Sequence, residues 1–305
     1  MLYQRTISKE VSVTGLGLHS GKRVTLTLKP AESDFGIKFK RTDLPNAPVL
    51  VANAKNVGTT ENATTLGQGQ NVVHTVEHIL SVLYGFGINN VLCEVNGPEV
   101  PIMDGSGASF VFLIKETGIS NLSKTKNFMI ILEPVSVKMH DKFARIEPSS
   151  KLIIDTTIVF AHPQIKTQRE IFEFSCENFI SNISRARTFC LFKDVDNLKR
   201  KGLIKGGSLD NAVVLDDYKV INNDGLRFKD EFVRHKVLDI LGDLSLLGHE
   251  IAGKITTYKS GHNLHNLLCR KLLDTPSAYQ VVPASSLQDD QRRAFELPRA
   301  ISISR

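Results

Sequence analysis

The chain is short of every feature that would set it apart from an ordinary globular protein, and each shortage removes a class. Its four cysteines, Cys93, Cys176, Cys190 and Cys269, are scattered without a CxxC pair. They give no basis for a disulfide framework and make a reducing cytoplasm the simplest setting. No apolar run is long enough to span a bilayer. The amino terminus, MLYQRTISKEVSVTG, alternates like a strand and lacks the apolar core of a secretory signal. No long Lys/Arg block occurs, and the formal charge is only +6 over 305 residues. Nucleic-acid binding is therefore not implied, whereas a polyanionic small substrate fits. What is present, at 41% hydrophobic content, supports a substantial core shared between two domains.

Short strands are expected up to about Ala52, where Val24, Leu26 and Leu28 alternate with Thr25, Thr27 and Lys29. Gly15, Gly17 and Gly21 read as tight turns around His19, with no helix after them to make a phosphate loop. A helix is predicted from Val72 to about Tyr84, then a strand at 90–95, then a helix at about 108–115 capped by Asp104 or Ser106. Residues 121–127, NLSKTKN, read as a linker. Beyond it come strands at 128–132, 135–139, 143–146 and 152–160, a helix near 178–184 and a strand at 212–215. Strands followed by helix thus occur in each half. The expectation is an α+β fold with two domains of similar plan, each a sheet packed with helices, covering 1–122 and 128–273. The polar tail 274–305, broken by Pro276, Pro283 and Pro298, is expected to be peripheral and partly disordered.

Two stretches carry candidate chemistry. In RFKDEFVRHKVLDILGD, Phe228, Phe232, Val233, Val237, Leu238 and Leu241 recur every three or four residues, the pattern of a helix with one buried face. His235 and Asp239 stand four apart and project from one side, as two ligands on a single ion would, and Asp243 extends the row. Far upstream lies His74-Thr75-Val76-Glu77-His78. Two templates compete for it. In an inverted zinc-peptidase motif, His74 and His78 bind the metal and Glu77 is the base. In the other, His78 joins His235 and Asp239 as a ligand beside Glu77. A third reading, a basic protein that binds nucleic acid or an anionic membrane without catalysis, predicts salt-sensitive binding alone.

Six segments carry a resemblance: Gly17–Gly21, Thr75–His78, Pro101–Ser106, Ser184–Phe189, Asp230–Asp239 and Tyr258–His262. In this order they resemble the UDP-3-O-acyl-N-acetylglucosamine deacetylases, metal-dependent enzymes of the committed step of lipid A synthesis. The resemblance spans roughly Met1 to Lys271. It implies that His78, His235 and Asp239 bind zinc, with ferrous iron also compatible with this ligand set. It implies Glu77 as general base, His262 as general acid, Asp243 as the carboxylate orienting His262, and Thr188 as an oxyanion donor. Phe189, Lys236, Phe160, Lys259 and His19 match positions in or near the substrate pocket. The resemblance also implies an active site between the domains and an insertion at about 191–214 that forms an acyl passage, with Val195, Leu203, Ile204 and Leu209 as candidate lining. The expected partner is the UDP-linked acylated glucosamine, acted on by a cytoplasmic monomer with no stable membrane insertion.

The residue types make chemical sense. An acetamide resists water at neutral pH, and zinc can bring the pKa of bound water to about 7. A base must take the proton, a donor must hold the oxyanion, and an acid must protonate the leaving amine. Glu77 as base and His262 as acid predict a bell-shaped pH profile.

Overall fold

In the computed structural model, which describes residues 2–298 and 303–304, the fold is α+β. The first half is built on a five-stranded sheet in the order Val11–Leu16, Arg23–Pro30, Val91–Val95, Ile37–Arg41, Leu50–Val51. Its second strand shows why the sequence alternates: Val24, Leu26 and Leu28 are buried, while Thr25 and Thr27 meet Thr14 and Ser12 across the strand pair. Helices α1 (Glu77–Gly85) and α2 (Ala108–Thr117) belong to this half.

The second half centres on the strand Glu250–Tyr258. Lys142–Glu147 lies antiparallel to it, Asn127–Ile131 runs parallel to its first residues and Leu152–Val159 runs parallel to the rest. Helix α3 (Phe192–Arg200) lies in the expected insertion, followed by α4 (Glu231–Ser245) and α5 (His262–Leu273).

Three expectations are corrected. The helix predicted from Val72 starts only at Glu77, because Asn71–Val73 is a strand and His74 bridges to Glu99. Thr75 then takes a left-handed φ of 58°, a costly state for a β-branched residue, fixed by its hydroxyl on the buried Glu99 carboxylate at 3.0 Å. The supposed linker is a strand, Ile119–Thr125, antiparallel to Tyr3–Ile7. Its largely half-exposed side chains leave no apolar rhythm to read. The tail is not peripheral: Tyr279–Pro283 joins the sheet beside Asn127–Ile131, and the buried Phe295 ring packs 4.8 Å from Phe128 and 5.4 Å from Phe174. Residues 299–302 and 305, part of the expected disordered tail, lie outside the described residues.

The seam between the halves is ionic as well as apolar. The buried Lys126 ammonium donates to Gly87 O at 2.8 Å and Glu250 Oε1 at 2.6 Å. Arg5 Nη1 donates to Phe86 O and Phe295 O, so one guanidinium touches both halves.

Across this seam α1 crosses α4. Gly242 makes the crossing possible: a Cβ there would lie 2.1 Å from Glu77 O. Gly242→Ala must push the helices apart, and overpacking of this kind costs about 1–3 kcal/mol. The expected outcome is a lowered melting temperature together with loss of activity, because Glu77 is the contact. An unchanged melting temperature and rate would show that the crossing has room to give.

Candidate active site

The crossing brings the first turn of α1 against one side of α4. Successive helical residues point about 100° apart, so Glu77 and His78 serve different neighbours. His78 Nε2 lies 3.9 Å from Asp239 Oδ1, and His235 Nε2 lies 3.3 Å from the same oxygen. All three side chains are buried, and their ligand-type atoms lie within 4.8 Å of one another. The His235 ring is oriented by Ala186 O, 3.0 Å from Nδ1, which leaves Nε2 for the cluster. This accounts for the 184–189 segment: Arg187 is locked onto the buried Glu231, fixing Ala186 beside His235 and Thr188 at the cavity wall.

Electrostatics favour a cation there. Burial and the neighbouring His235 push His78 down to about 3. Burial likewise depresses His235. Burial opposes charge on Asp239, but His235, Lys236, His262 and His78 outweigh it and hold the carboxyl far below its usual range. Two neutral imidazoles and a carboxylate suit a divalent ion with a position left open. The donor set therefore fits the metal.

Glu77 faces the other way. Its Oε2 accepts the Thr64 N–H at 3.0 Å, and Oε1 lies 3.8 Å from His262 Nε2. Burial, reinforced by Asp239 and Asp243 against the pull of His262, lifts it to about 7. His262 opens α5, and its Nδ1 lies 2.8 Å from Asp243 Oδ2. Burial disfavours its charge, but Asp243 and Glu77 overcome that and raise it to about 10. His262 is thus a cation at neutral pH.

Asp243, His262 and His265 form a second close group. Here both histidines present Nδ1 to one carboxylate oxygen, at 2.8 and 2.7 Å. That is the geometry of a hydrogen-bonded relay, with His262 already protonated.

A cavity of about 280 Å³ opens over the cluster, walled by Thr188, Phe189, Lys236, Phe160 and His19. Phe160 and Phe189 meet edge to face at 5.4 Å, and Lys236 Nζ sits 2.6 Å from Asp239 Oδ2. A second, mainly apolar cavity of about 370 Å³ shares Thr188, Phe189 and His19 and extends past Val195, Ile204 and Leu209. Leu203 instead faces a separate cavity with His74. Lys259 is not brought to the site; its ammonium pairs with Asp141 at 2.6 Å. His74 is also elsewhere, with Nδ1 2.8 Å from Thr65 Oγ1. The peptidase template fails because His74 shares neither the helix nor the donor cluster of His78.

Three residues of this region had no role in the sequence reading. His265 follows His262 by three on one helix, a spacing open to notice. Thr64 and Glu99 carry no local signal; only folding places Thr64 against Glu77, or Glu99 beneath the amides of His19 and Ser20.

A family model described as LpxC, UDP-3-O-acyl N-acetylglycosamine deacetylase, matches residues 4–274. The chain belongs to this deacetylase family. The match runs from the first strand through α5, so it takes in both walls of the cleft. A hydrolase acting on a UDP-linked acylated glucosamine agrees with a site that joins a polar floor to an apolar extension. Among the described residues no helix is long and apolar enough to cross a membrane.

The donor set separates the two metal templates by experiment. Asp239→Ala is expected to lose bound metal on dialysis, with its affinity down at least tenfold, while His74→Ala keeps it, both read by elemental analysis. The reverse pattern would return His74 to the ligand set.

Proposed function

We propose that this deacetylase removes the N-acetyl group of UDP-3-O-acyl-N-acetylglucosamine as a zinc amidase, the committed step of lipid A synthesis, in the cytoplasm. The observation that carries the reading is the meeting of three parts in one cleft. A cation-ready donor trio adjoins a carboxylate facing a protonated histidine, at the mouth of an apolar cavity. His78, His235 and Asp239 would hold the metal, zinc or ferrous iron, which when bound acidifies the attacking water and polarises the amide carbonyl.

The chain's own groups do the rest. Glu77, poised near 7, takes a proton from the water as its oxygen bonds to the acetyl carbon. The Thr188 hydroxyl faces the carbonyl oxygen as negative charge grows there, a contact typically worth about 3 kcal/mol. His262 Nε2–H, kept charged by Asp243, protonates the sugar nitrogen as the C–N bond breaks, releasing acetate and the free amine. Phe160, Phe189 and Lys236 line the substrate end of the cleft. The acyl chain occupies the second cavity under α3, where Val195, Ile204 and Leu209 are apolar walls. His19 stands where the two cavities join.

Acetate release from UDP-3-O-acyl-N-acetylglucosamine should vanish on chelation and return with zinc. No release from metal-loaded protein, across several acyl lengths, would overturn the assignment. Asp243→Asn removes the charge that holds the His262 proton, so the His262 pKa falls from about 10 toward its ordinary 6.5. Activity requires that proton, so the alkaline limb of the rate profile should move to lower pH. A limb that stays in place would remove His262 as the acid.

A further inference from the structure

Thr64 touches both halves of the proposed proton machinery. Its amide donates to Glu77 Oε2 at 3.0 Å, and its buried hydroxyl donates to Asp243 Oδ1 at 2.5 Å. It comes from the segment before the strand Thr65–Gln68, so neither α1 nor α4 fixes these bonds by itself. Asp243 spends its other oxygen on His262 and His265, and His265 is braced in turn by Ser260 Oγ at 2.8 Å from Nε2.

We propose that Thr64 is a positioning residue that sets the geometry of the base through its amide and the acidity of His262 through its hydroxyl on Asp243. The inference rests on the reading of Glu77 as base and His262 as acid. With Oε2 held by Thr64, Glu77 is left with Oε1 toward His262. With Oδ1 accepting a hydroxyl, Asp243 carries less charge on the oxygen that faces His262. The hydroxyl thereby weakens the grip of Asp243 on the His262 proton, which has to leave for the amine. The charged or titratable groups facing His262 are Asp243, Asp239 and His235 from α4, Glu77 and His78 from α1, and His265 from its own helix. Only Asp243 is bonded to Thr64 through the side chain.

The test compares Thr64→Val, which keeps the shape and amide and loses the hydroxyl, with Thr64→Ser, which restores it. In zinc-loaded enzyme, Thr64→Val is expected to lower kcat roughly tenfold, the scale of lost outer-sphere bonds, with KM changed by less than about twofold. The alkaline limb should shift to higher pH, opposite to Asp243→Asn, because a more charged Asp243 holds the His262 proton more tightly. Thr64→Ser should recover most of the rate and the original limb. Unchanged kcat and limb in Thr64→Val, with wild-type enzyme active, would overturn the role of Thr64 alone. Inactive metal-loaded wild type would sink the underlying reading instead. Metal content and melting temperature are measured alongside. If Thr64→Val does not fold, Thr64→Ala is compared with Thr64→Ser, and equal limbs in that pair reject the proposal.

Discussion

The active site depends on one close contact between backbones, Gly242 of α4 against Glu77 of α1. Each helix brings half of the proposed chemistry: α1 carries the proposed base and one candidate metal ligand in consecutive positions, and α4 carries two candidate ligands and the carboxylate that meets His262 at successive turns. A side chain at the crossing would push the helices apart. The 3.9 Å between His78 of α1 and Asp239 of α4 therefore depends on the absence of a methyl group there.

The same proximity explains why burial does not silence the ionisable groups. Glu77, Asp239, Asp243 and His262 are all withdrawn from water, a state that penalises charge. Asp239 and Asp243 stay ionised because cationic or hydrogen-bonding neighbours surround them, and His262 stays charged because Asp243, Glu77 and Asp239 do. Glu77 has no such support beyond His262 and moves toward neutrality. Three carboxylates and a histidine in one pocket thus settle in different charge states through small differences in who stands next to them.

What the sequence made legible follows from the range of the forces involved. The row of His235, Asp239 and Asp243 is written in a local period, so spacing alone revealed a shared face. The strand at 135–139 and the alternation through Val24, Leu26 and Leu28 were readable for the same reason. The start of α1 was not, because Thr75 is held in its left-handed turn by Glu99, 24 residues away. The strand at 119–125 lacks an apolar face, and the tail joins the core through the pairing of Phe128 with Val282, 154 positions apart. Thr64 belongs with these: its partner Asp243 is 179 residues distant.

Buried polar contacts across the seam set how the molecule can move. Spreading the two halves would take Gly87 O from the buried Lys126 ammonium and Phe295 O from Arg5. A jaw-like opening is therefore disfavoured. Helix α3, by contrast, buries none of its residues and is tied down by the Lys201–Glu61 pair and by the Gly206 N–H on Leu18 O. Loosening it breaks few buried contacts. The wall that α3 gives to the apolar cavity is thus the part of the cleft with least buried contact behind it, while the donor trio sits among fully packed neighbours.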